Sequence, residues 1–226
     1  MKAPQILIFD VDGVLVDVRR SFHSTILATV EHFTGRCVRR SEIQHWKSRS
    51  GFNDDWDLTY AWVRRLGSRT SLAEVQRVFN RFYRGRNGDG FVARESWMLP
   101  RAALARLARR YELALFTGRT WRELRHTLER FGTHGYFGQI VTRESVSRLK
   151  PDPEGLLRIL GGRHAVQALY LGDAVDDALA ARGAGVPFLG VLPRGTLARR
   201  LRGRKLRRLG ALRLLNHVRE VEQWLE

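Results

Sequence analysis

The sequence predicts an α/β protein whose parallel β-sheet is covered by helices on both sides, with a helical segment inserted after the first strand. Three observations support this prediction. Short apolar runs alternate with helical patterns over residues 100–192, which is the order of elements in a parallel sheet with crossover helices. Another apolar run begins at Gln5, and residues 18–95 contain helical patterns without a convincing strand.

The predicted strands are short and rich in β-branched, aliphatic and aromatic residues. Apolar runs of this kind are typical of strands that are buried on both faces of a parallel sheet. The five predicted strands comprise residues 5–9, 112–116, 138–141, 168–171 and 187–192.

Two of the helices between these strands have clear start signals. Thr120 and Glu123 form a capping box, apolar residues follow at helical spacing, and Gly132 predicts the end of the helix. Asp152 and Pro153 predict an N-cap and a proline at the first helical position of the next helix.

Residues 18–95 interrupt this alternation of strands and helices. They contain four helical stretches, dense aromatic residues and a flexible, glycine-containing exit. We therefore expect a helical domain at residues 18–95 and an α/β core domain formed by residues 1–17 and 96–226. The predicted helices comprise residues 21–33, 41–48, 54–66 and 71–84.

Composition limits the class of protein. Cys37 is the single cysteine, so an intrachain disulfide is excluded and a reducing cytoplasm is the expected location. No run approaches the ~18 consecutive apolar residues of a membrane helix, and no signal-peptide pattern precedes the first strand. We expect a cytoplasmic monomer or homodimer without a membrane partner.

The formal net charge of +17 would suit an anionic partner such as nucleic acid. However, the basic residues are scattered over the chain and only four of the 40 are lysines, which favours a coding bias over a binding surface. One dense run at residues 194–208 contains eight basic residues and no acid. Its interleaved leucines predict an amphipathic helix with a solvated basic face.

Two carboxylates follow the first predicted strand. Asp10 and Asp12 are two residues apart, so in an extended segment their side chains project to the same side. They lie at the carboxyl end of the strand, where open α/β sheets bind their ligands. Paired carboxylates favour a cation between them or a proton on one of them.

Other polar residues follow later strands or precede helices. Thr117 and Gly118 open a helix, where a hydroxyl and free backbone N–H groups can bind phosphate. Lys150 precedes a second helix, and Asp173 and Asp177 follow a third strand. Each residue alone could be an ordinary strand-end or helix-capping group. All of them at successive strand ends, and in this order, predict one polar site.

These motifs resemble those of the haloacid dehalogenase-like superfamily. Residues 10–13 resemble motif I, Thr117 motif II, Lys150 motif III and residues 172–177 motif IV. The helical insertion between motifs I and II is similar to the C1 cap of the subfamily that contains phosphoglycolate phosphatases and β-phosphoglucomutases. The resemblance implies a Rossmann-like three-layer α/β/α core with the sheet order 5-4-1-2-3 and an inserted helical cap.

The resemblance also implies a Mg²⁺-dependent phosphatase that forms an aspartyl-phosphate. Asp10 would be the nucleophile, and Asp12 would protonate the leaving oxygen and then deprotonate a water molecule. Mg²⁺ would be held by Asp10, the backbone carbonyl of Asp12 and Asp173.

The remaining motif residues have implied supporting roles. Thr117, the Gly118 amide and Lys150 would stabilise the phosphoryl oxygens. Asp177 would be the fourth acidic residue of the metal site, where it would support the ligands of the metal or Lys150. Asp176 is an alternative for that role, because the motif spacing is ambiguous by one residue.

The substrate class follows from Asp12 and from the cap. Haloacid dehalogenases and phosphonatases lack an acid at this position, so the chain resembles the phosphate-ester enzymes of the superfamily. A cap that closes over the site favours a small phosphorylated metabolite as substrate. Arg49 and Asn53, between cap helices, are candidates to bind it, and the alternative is that Asn53 or Asp54 caps the next helix.

Two alternative functions stay open. A phosphomutase of the β-phosphoglucomutase type would have the same four motifs and would differ in cap residues that protect the aspartyl-phosphate from water. A basic nucleic-acid-binding protein with a vestigial catalytic fold would bind DNA or RNA in a salt-sensitive manner. The complete motif set argues against this second alternative, since folding alone does not require polar groups at every strand end.

Overall fold

The computed structural model describes residues 4–52, 54–86 and 88–226, and the chain divides into two compact units. The core unit comprises Met1–Val16 and Trp97–Glu226, and the helical unit comprises Asp17–Ser96. The predicted boundaries after residues 17 and 95 lie one residue from these bounds.

The core unit contains a six-stranded parallel sheet with β1 in its interior. Its order is β5-β4-β1-β6-β7-β8, and two shorter strands, β2 and β3, pair separately. Counted over the five predicted strands, this is the predicted order 5-4-1-2-3, which is thereby confirmed. The strands are β1 (Ile6–Phe9), β2 (Val16–Asp17), β3 (Ser96–Trp97), β4 (Glu112–Phe116), β5 (Gln139–Val141), β6 (Ala168–Gly172), β7 (Phe188–Val191) and β8 (Arg213–Leu215).

The edge strand β8 was not predicted. It is three residues long, and only Leu214 and Leu215 of its residues are buried. It pairs with β7 at Gly190, where a Cβ atom would lie 2.6 Å from Leu214 and 2.9 Å from Leu206. The glycine therefore lets this edge of the sheet pack closely against the helix that carries Leu206.

Four helices of the described residues lie in the helical unit and six in the core unit. Their bounds are α1 (Phe22–Thr34), α2 (Arg40–Lys47), α3 (Asp55–Arg65), α4 (Leu72–Arg84), α5 (Arg101–Arg110), α6 (Trp121–Phe131), α7 (Glu154–Leu160), α8 (Val175–Ala184), α9 (Leu197–Arg208) and α10 (Val221–Leu225). None of the helices in the described ranges is long and apolar enough to cross a bilayer.

The predicted capping signals had different outcomes. The capping box of α6 is confirmed, because Thr120 accepts from the Glu123 amide at 3.3 Å and Glu123 accepts from the Thr120 amide at 2.9 Å. Gly132 ends this helix in the left-handed conformation, also as predicted. The start of α7 is one residue later than predicted, so Pro153 precedes the helix and Asp152 accepts from the Glu154 amide.

Aromatic residues form the interior of the helical unit. The ring of Phe22 in α1 stacks on Tyr83 of α4 with 4.4 Å between centroids, and Phe79 lies 6.0 Å away. The Tyr83 hydroxyl donates to the buried carboxylate of Glu95, which also accepts from Ser21. The aromatic pattern of residues 18–95 therefore reflects the core of a separate packed unit.

The core unit places helix α7 directly against β4. Gly155 is the contact point, because a Cβ atom there would overlap the ring of Phe116. The whole of β1 is fully buried, as expected for an interior strand with helices on both faces. This packing fixes the carboxyl ends of β1 and β4 and the segment that precedes α7.

Candidate active site

The polar residues predicted from strand ends converge in the core unit. Asp10 follows β1, Thr117 follows β4 and Asp173 follows β6, and β1 lies between the other two strands. Because the strands are parallel, their carboxyl ends share one edge of the sheet. Lys150, just before α7, contacts this edge through its side chain.

Lys150 binds three oxygen atoms with its ammonium group. Nζ donates to Asp10 Oδ1 at 2.9 Å, to Asp177 Oδ1 at 2.8 Å and to the Phe116 carbonyl at 2.8 Å. It also lies 4.5 Å from the centroid of the Phe116 ring. An ammonium group has three donors, so Lys150 is fully satisfied and held beside Asp10.

The charges of this group depend on one another. Burial alone would lower the pKa of Lys150, but the carboxylates of Asp10 and Asp177 outweigh it and raise that pKa. Burial raises the pKa of Asp10 well above its usual value, and the neighbouring carboxylates of Asp177 and Asp12 add to this effect against Lys150. The ionised form of Asp10 therefore needs more positive charge than Lys150 supplies.

Asp177 supports this arrangement with both of its oxygens. Oδ1 accepts from Lys150 and, at 2.7 Å, from the Tyr170 hydroxyl. Oδ2 accepts from the backbone amides of Asp173 at 3.0 Å and Ala174 at 2.9 Å. These four bonds occupy the acceptor sites of an ionised carboxylate. Asp177, and not Asp176, is thus the acid that holds Lys150.

A divalent cation fits the carboxylates at this edge. One oxygen each of Asp10, Asp173 and Asp177 lies within 4.8 Å of the others, and carboxylate oxygens are the ligands that Mg²⁺ prefers. Because the acceptor sites of Asp177 are occupied, Asp10 and Asp173 are the side chains that would hold the ion. Gly13 makes room for Asp173, since a Cβ atom there would lie 2.6 Å from Asp173 Oδ2.

The phosphate-binding candidates Thr117 and Gly118 lie in the turn between β4 and α6. Thr117 is buried, and its hydroxyl accepts from the Arg119 amide at 3.1 Å. Gly118 is exposed, with no described atom within 4 Å of the position that a Cβ would take. The geometry leaves the backbone of Gly118 accessible to a ligand.

Arg119 is a site residue that the sequence analysis did not identify. Its guanidinium is buried and donates to Asp12 Oδ1 through Nε at 2.9 Å and through Nη2 at 2.6 Å. A third bond, from Nη1, reaches Thr127 of α6 at 2.6 Å. The available signal was its place directly after Thr117 and Gly118 at a strand end.

Arg202 is a second basic residue that pairs with a site carboxylate. Nη1 donates to Asp173 Oδ2 at 2.9 Å and to the Asp173 carbonyl at 2.8 Å. The expectation of a solvated basic face for residues 194–208 was therefore incomplete, because Arg202 lies on the buried side of α9. Its position four residues from both Ala198 and Leu206, which are also buried, is the helical pattern that places it there.

The substrate candidates of the helical unit have other contacts or are not described. Arg49 is exposed and lies over the Trp46 ring, 5.7 Å from its centroid. Asn53 lies outside the described residues. Asp54 caps α3 by accepting from the amides of Trp56 and Asp57, as the alternative interpretation of this segment stated.

Known proteins similar to this chain include hydrolases. A family model described as haloacid dehalogenase-like hydrolase matches residues 7–191. A phosphoglycolate phosphatase of Yersinia pestis is 27% identical over 195 residues, which cover 84% of this chain and 82% of that protein. The solved structure of a haloacid dehalogenase-like family hydrolase from Streptococcus pneumoniae has a TM-score of 0.77 at 18% identity, and the match covers 100% of both chains.

Another relative is a longer protein. An imidazoleglycerol-phosphate dehydratase of Phytophthora nicotianae is 33% identical over 204 residues, which cover 86% of this chain. The match covers 45% of that protein, so this chain spans less than half of its length.

Proposed function

Because the chain belongs to the haloacid dehalogenase-like hydrolase family, we propose that it hydrolyses a small phosphorylated metabolite with Mg²⁺ through an aspartyl-phosphate on Asp10. The main support is the contact of Lys150 with Asp10 and Asp177, beside Asp173. A buried carboxylate next to a fixed ammonium group and a second carboxylate that can bind a cation suits nucleophilic attack on phosphorus.

The first half of the reaction transfers the phosphoryl group to the protein. A carboxylate oxygen of Asp10 attacks phosphorus while the ester P–O bond breaks. The bonding electron pair leaves with the ester oxygen, which takes a proton from Asp12. The Gly118 amide donates a hydrogen bond to a phosphoryl oxygen, and the positive charge of Lys150, whose three donors are already used, stabilises the negative charge that develops there.

The second half of the reaction regenerates the carboxylate. Water attacks the phosphorus of the aspartyl-phosphate and gives its proton to Asp12, which the first step left ionised. The bond between phosphorus and the Asp10 oxygen breaks, and inorganic phosphate leaves. Asp12 is then protonated again and ready for the next substrate.

Mg²⁺ would be held by Asp10, Asp173 and the backbone carbonyl of Asp12. When bound, the ion offsets the negative charge of carboxylate and phosphate so that the two anions can meet. The raised pKa of Asp10, caused mainly by burial, supports this proposal, because a nearby cation favours the ionised nucleophile.

The chemical class of the substrate is proposed from the relatives. The phosphoglycolate phosphatases favour a small phosphate ester of a carboxylic acid. The relative named as an imidazoleglycerol-phosphate dehydratase favours a second candidate substrate, a phosphate ester that carries an imidazole ring. Both are small monoesters of an alkyl alcohol, which require protonation of the leaving oxygen by Asp12.

The test is a phosphate-release assay with Mg²⁺ on p-nitrophenyl phosphate, phosphoglycolate, imidazoleglycerol phosphate and a wider panel of phosphorylated metabolites. We expect release by the unaltered chain and a loss of at least about 10³-fold in Asp10→Asn and Asp12→Asn with the fold retained. Glu129→Gln, an exposed carboxylate of α6 paired with Arg125, is the matched control and should keep full activity.

Two results would contradict the proposal. Full activity in Asp10→Asn would exclude the aspartyl-phosphate route. Transfer of phosphate to a second hydroxyl of a sugar phosphate, without net release of inorganic phosphate, would favour the phosphomutase alternative.

A further inference from the structure

We propose that Arg119 is a positioning residue, which holds Asp12 by one carboxylate oxygen so that the other oxygen exchanges the proton with the leaving group. The inference rests on the proposed phosphatase function and assigns the orientation of its general acid to a residue outside the four motifs. Three features support it: the convergence of the hydrogen bonds, the anchoring of Arg119 and the exposure of Asp12.

The hydrogen bonds of Arg119 converge on a single oxygen. Nε and Nη2 both donate to Asp12 Oδ1, and no described residue donates to Oδ2. Rotation of the carboxylate would break both bonds at once, so its plane is fixed. In the common geometry of an arginine–carboxylate pair, two parallel N–H groups donate to the two different carboxylate oxygens.

This one-sided contact is compatible with both protonation states of Asp12. A protonated carboxyl group keeps one oxygen as a pure acceptor and uses the other as an O–H donor. Arg119 occupies the acceptor, Oδ1, in either state. The proton can therefore be on Oδ2, from which it passes to the leaving oxygen and to which water returns it.

Arg119 is itself fixed by its surroundings. Its side chain is 1% exposed, whereas that of Asp12 is 26% exposed. Nη1 donates to the hydroxyl of Thr127, and that hydroxyl donates in turn to the Glu123 carbonyl in the same helix. Helix α6 thus sets the position of the guanidinium, and the guanidinium sets the position of Asp12. Because Arg119 is buried, it would act through Asp12 and not on the substrate directly.

The proposal predicts a specific dependence on the leaving group. p-Nitrophenolate is a stable anion and leaves without prior protonation, whereas an alkoxide needs the proton of Asp12. The value of kcat/KM reports the steps up to departure of the leaving group. The later role of Asp12 as a base therefore does not affect kcat/KM. A misplaced Asp12 should therefore lower kcat/KM for alkyl phosphates more than kcat/KM for p-nitrophenyl phosphate.

The experiment compares kcat/KM for p-nitrophenyl phosphate with kcat/KM for the best alkyl phosphate of the panel. We expect Arg119→Met to lower kcat/KM for the alkyl phosphate more than kcat/KM for p-nitrophenyl phosphate. The ratio of the two values should fall by a factor on the order of 10². Thr127→Val, which keeps the shape of the anchor and removes its acceptor, should change the ratio in the same direction by a smaller factor. Arg122→Met, an exposed arginine of α6, is the control and should leave the ratio unchanged.

The ratio of the two values is independent of the fraction of folded enzyme, so partial unfolding of a variant does not confound it. Arg119→Met introduced into Asp12→Asn should leave the ratio of that variant unchanged, because Asp12 can no longer exchange a proton. An equal loss on both substrates in Arg119→Met and no change of the ratio in Thr127→Val would overturn the inference and leave Arg119 as a structural residue. Failure of the unaltered chain to release phosphate would instead contradict the proposed function.

Discussion

Gly13 has a φ angle of 80°, and a Cβ atom on it would lie 2.6 Å from Oδ2 and 2.7 Å from Cγ of Asp173. Two constraints therefore meet at this position. The left-handed backbone favours glycine, and the carboxylate of a proposed Mg²⁺ ligand occupies the space of a side chain. Distances below 3.0 Å require one of the two groups to move.

We expect Gly13→Ala to displace Asp173 and to lower phosphatase activity by about 10- to 100-fold, the usual effect of disturbing the support of a metal ligand. Activity measured against Mg²⁺ concentration should show a weaker apparent affinity for the ion. Gly162→Ala is the matched control, because Gly162 has a φ of 86° and no described atom within 4 Å of its Cβ position. Equal losses in the two variants would mean that backbone strain, and not contact with Asp173, determines the effect.

The sequence indicated the acidic residues of the site better than its arginines. Asp10 and Asp173 stand out because polar residues at the ends of apolar strands are conspicuous, and Lys150 stands out because the chain has only four lysines. Arg119 and Arg202 do not, since 36 of the 40 basic residues are arginines and a buried one resembles the rest. Only the folded chain brings Arg119 to Asp12, which is 107 positions away.

Glu112, the first residue of β4, links three segments of the core unit. Its carboxylate accepts from Gln139 of β5 at 2.6 Å and from Arg163, which follows α7, at 2.6 Å. The hydrogen bond from Gln139 and then that from Arg163 lower the pKa of Glu112, and burial opposes them only partly. A folded-state pKa below the unfolded value means that the ionised carboxylate stabilises the fold.

The sign of the pH effect follows from this depressed pKa. The stabilisation is present above the ordinary pKa of a glutamate and is lost as the pH falls through the lower, folded value. We expect Glu112→Gln to lower the free energy of unfolding at pH 7 by up to about 1 kcal/mol, since the pair is partly solvated. The difference from the unaltered chain should shrink toward zero at an acidic pH below the folded-state pKa of Glu112, as measured by urea unfolding at each pH. Glu31→Gln, an exposed carboxylate of α1, should have little effect at either pH, and a pH-independent difference for Glu112→Gln would contradict the prediction.

Secondary structure was predictable where local signals and burial agree. The strands of the sheet interior are apolar except for Glu112 at the start of β4, and α6 has a capping box and a terminal glycine, so their positions follow from the sequence alone. The strand β8 lacks such a signal, because its two buried leucines acquire their partners only when β7 is in place. The sheet order came from the resemblance of the motifs, since the pattern of apolar residues predicts strands but not their neighbours.

Charge in the site of the core unit is contributed by distant parts of the chain. Four carboxylates, those of Asp10, Asp12, Asp173 and Asp177, face three basic side chains. The basic partners come from the segments after β4, before α7 and within α9: Arg119, Lys150 and Arg202. With every carboxylate ionised, these seven side chains sum to a formal charge of −1, although the chain as a whole has a net charge of +17.

This local excess of negative charge predicts that a divalent cation stabilises the folded chain. A ligand that binds only the folded state adds about 2.7 kcal/mol at a concentration 100 times its Kd. We expect Mg²⁺ to raise Tm in a thermal unfolding experiment without substrate and EDTA to reverse the shift. Asp173→Asn should abolish the shift, whereas Asp152→Asn should retain it, because Asp152 accepts from the Glu154 amide before α7 and lies outside the carboxylate group. Na⁺ at matched ionic strength separates binding from general screening of the positive chain, which would raise Tm equally in both variants. A Mg²⁺ shift of unchanged size in Asp173→Asn would place the ion elsewhere on the protein.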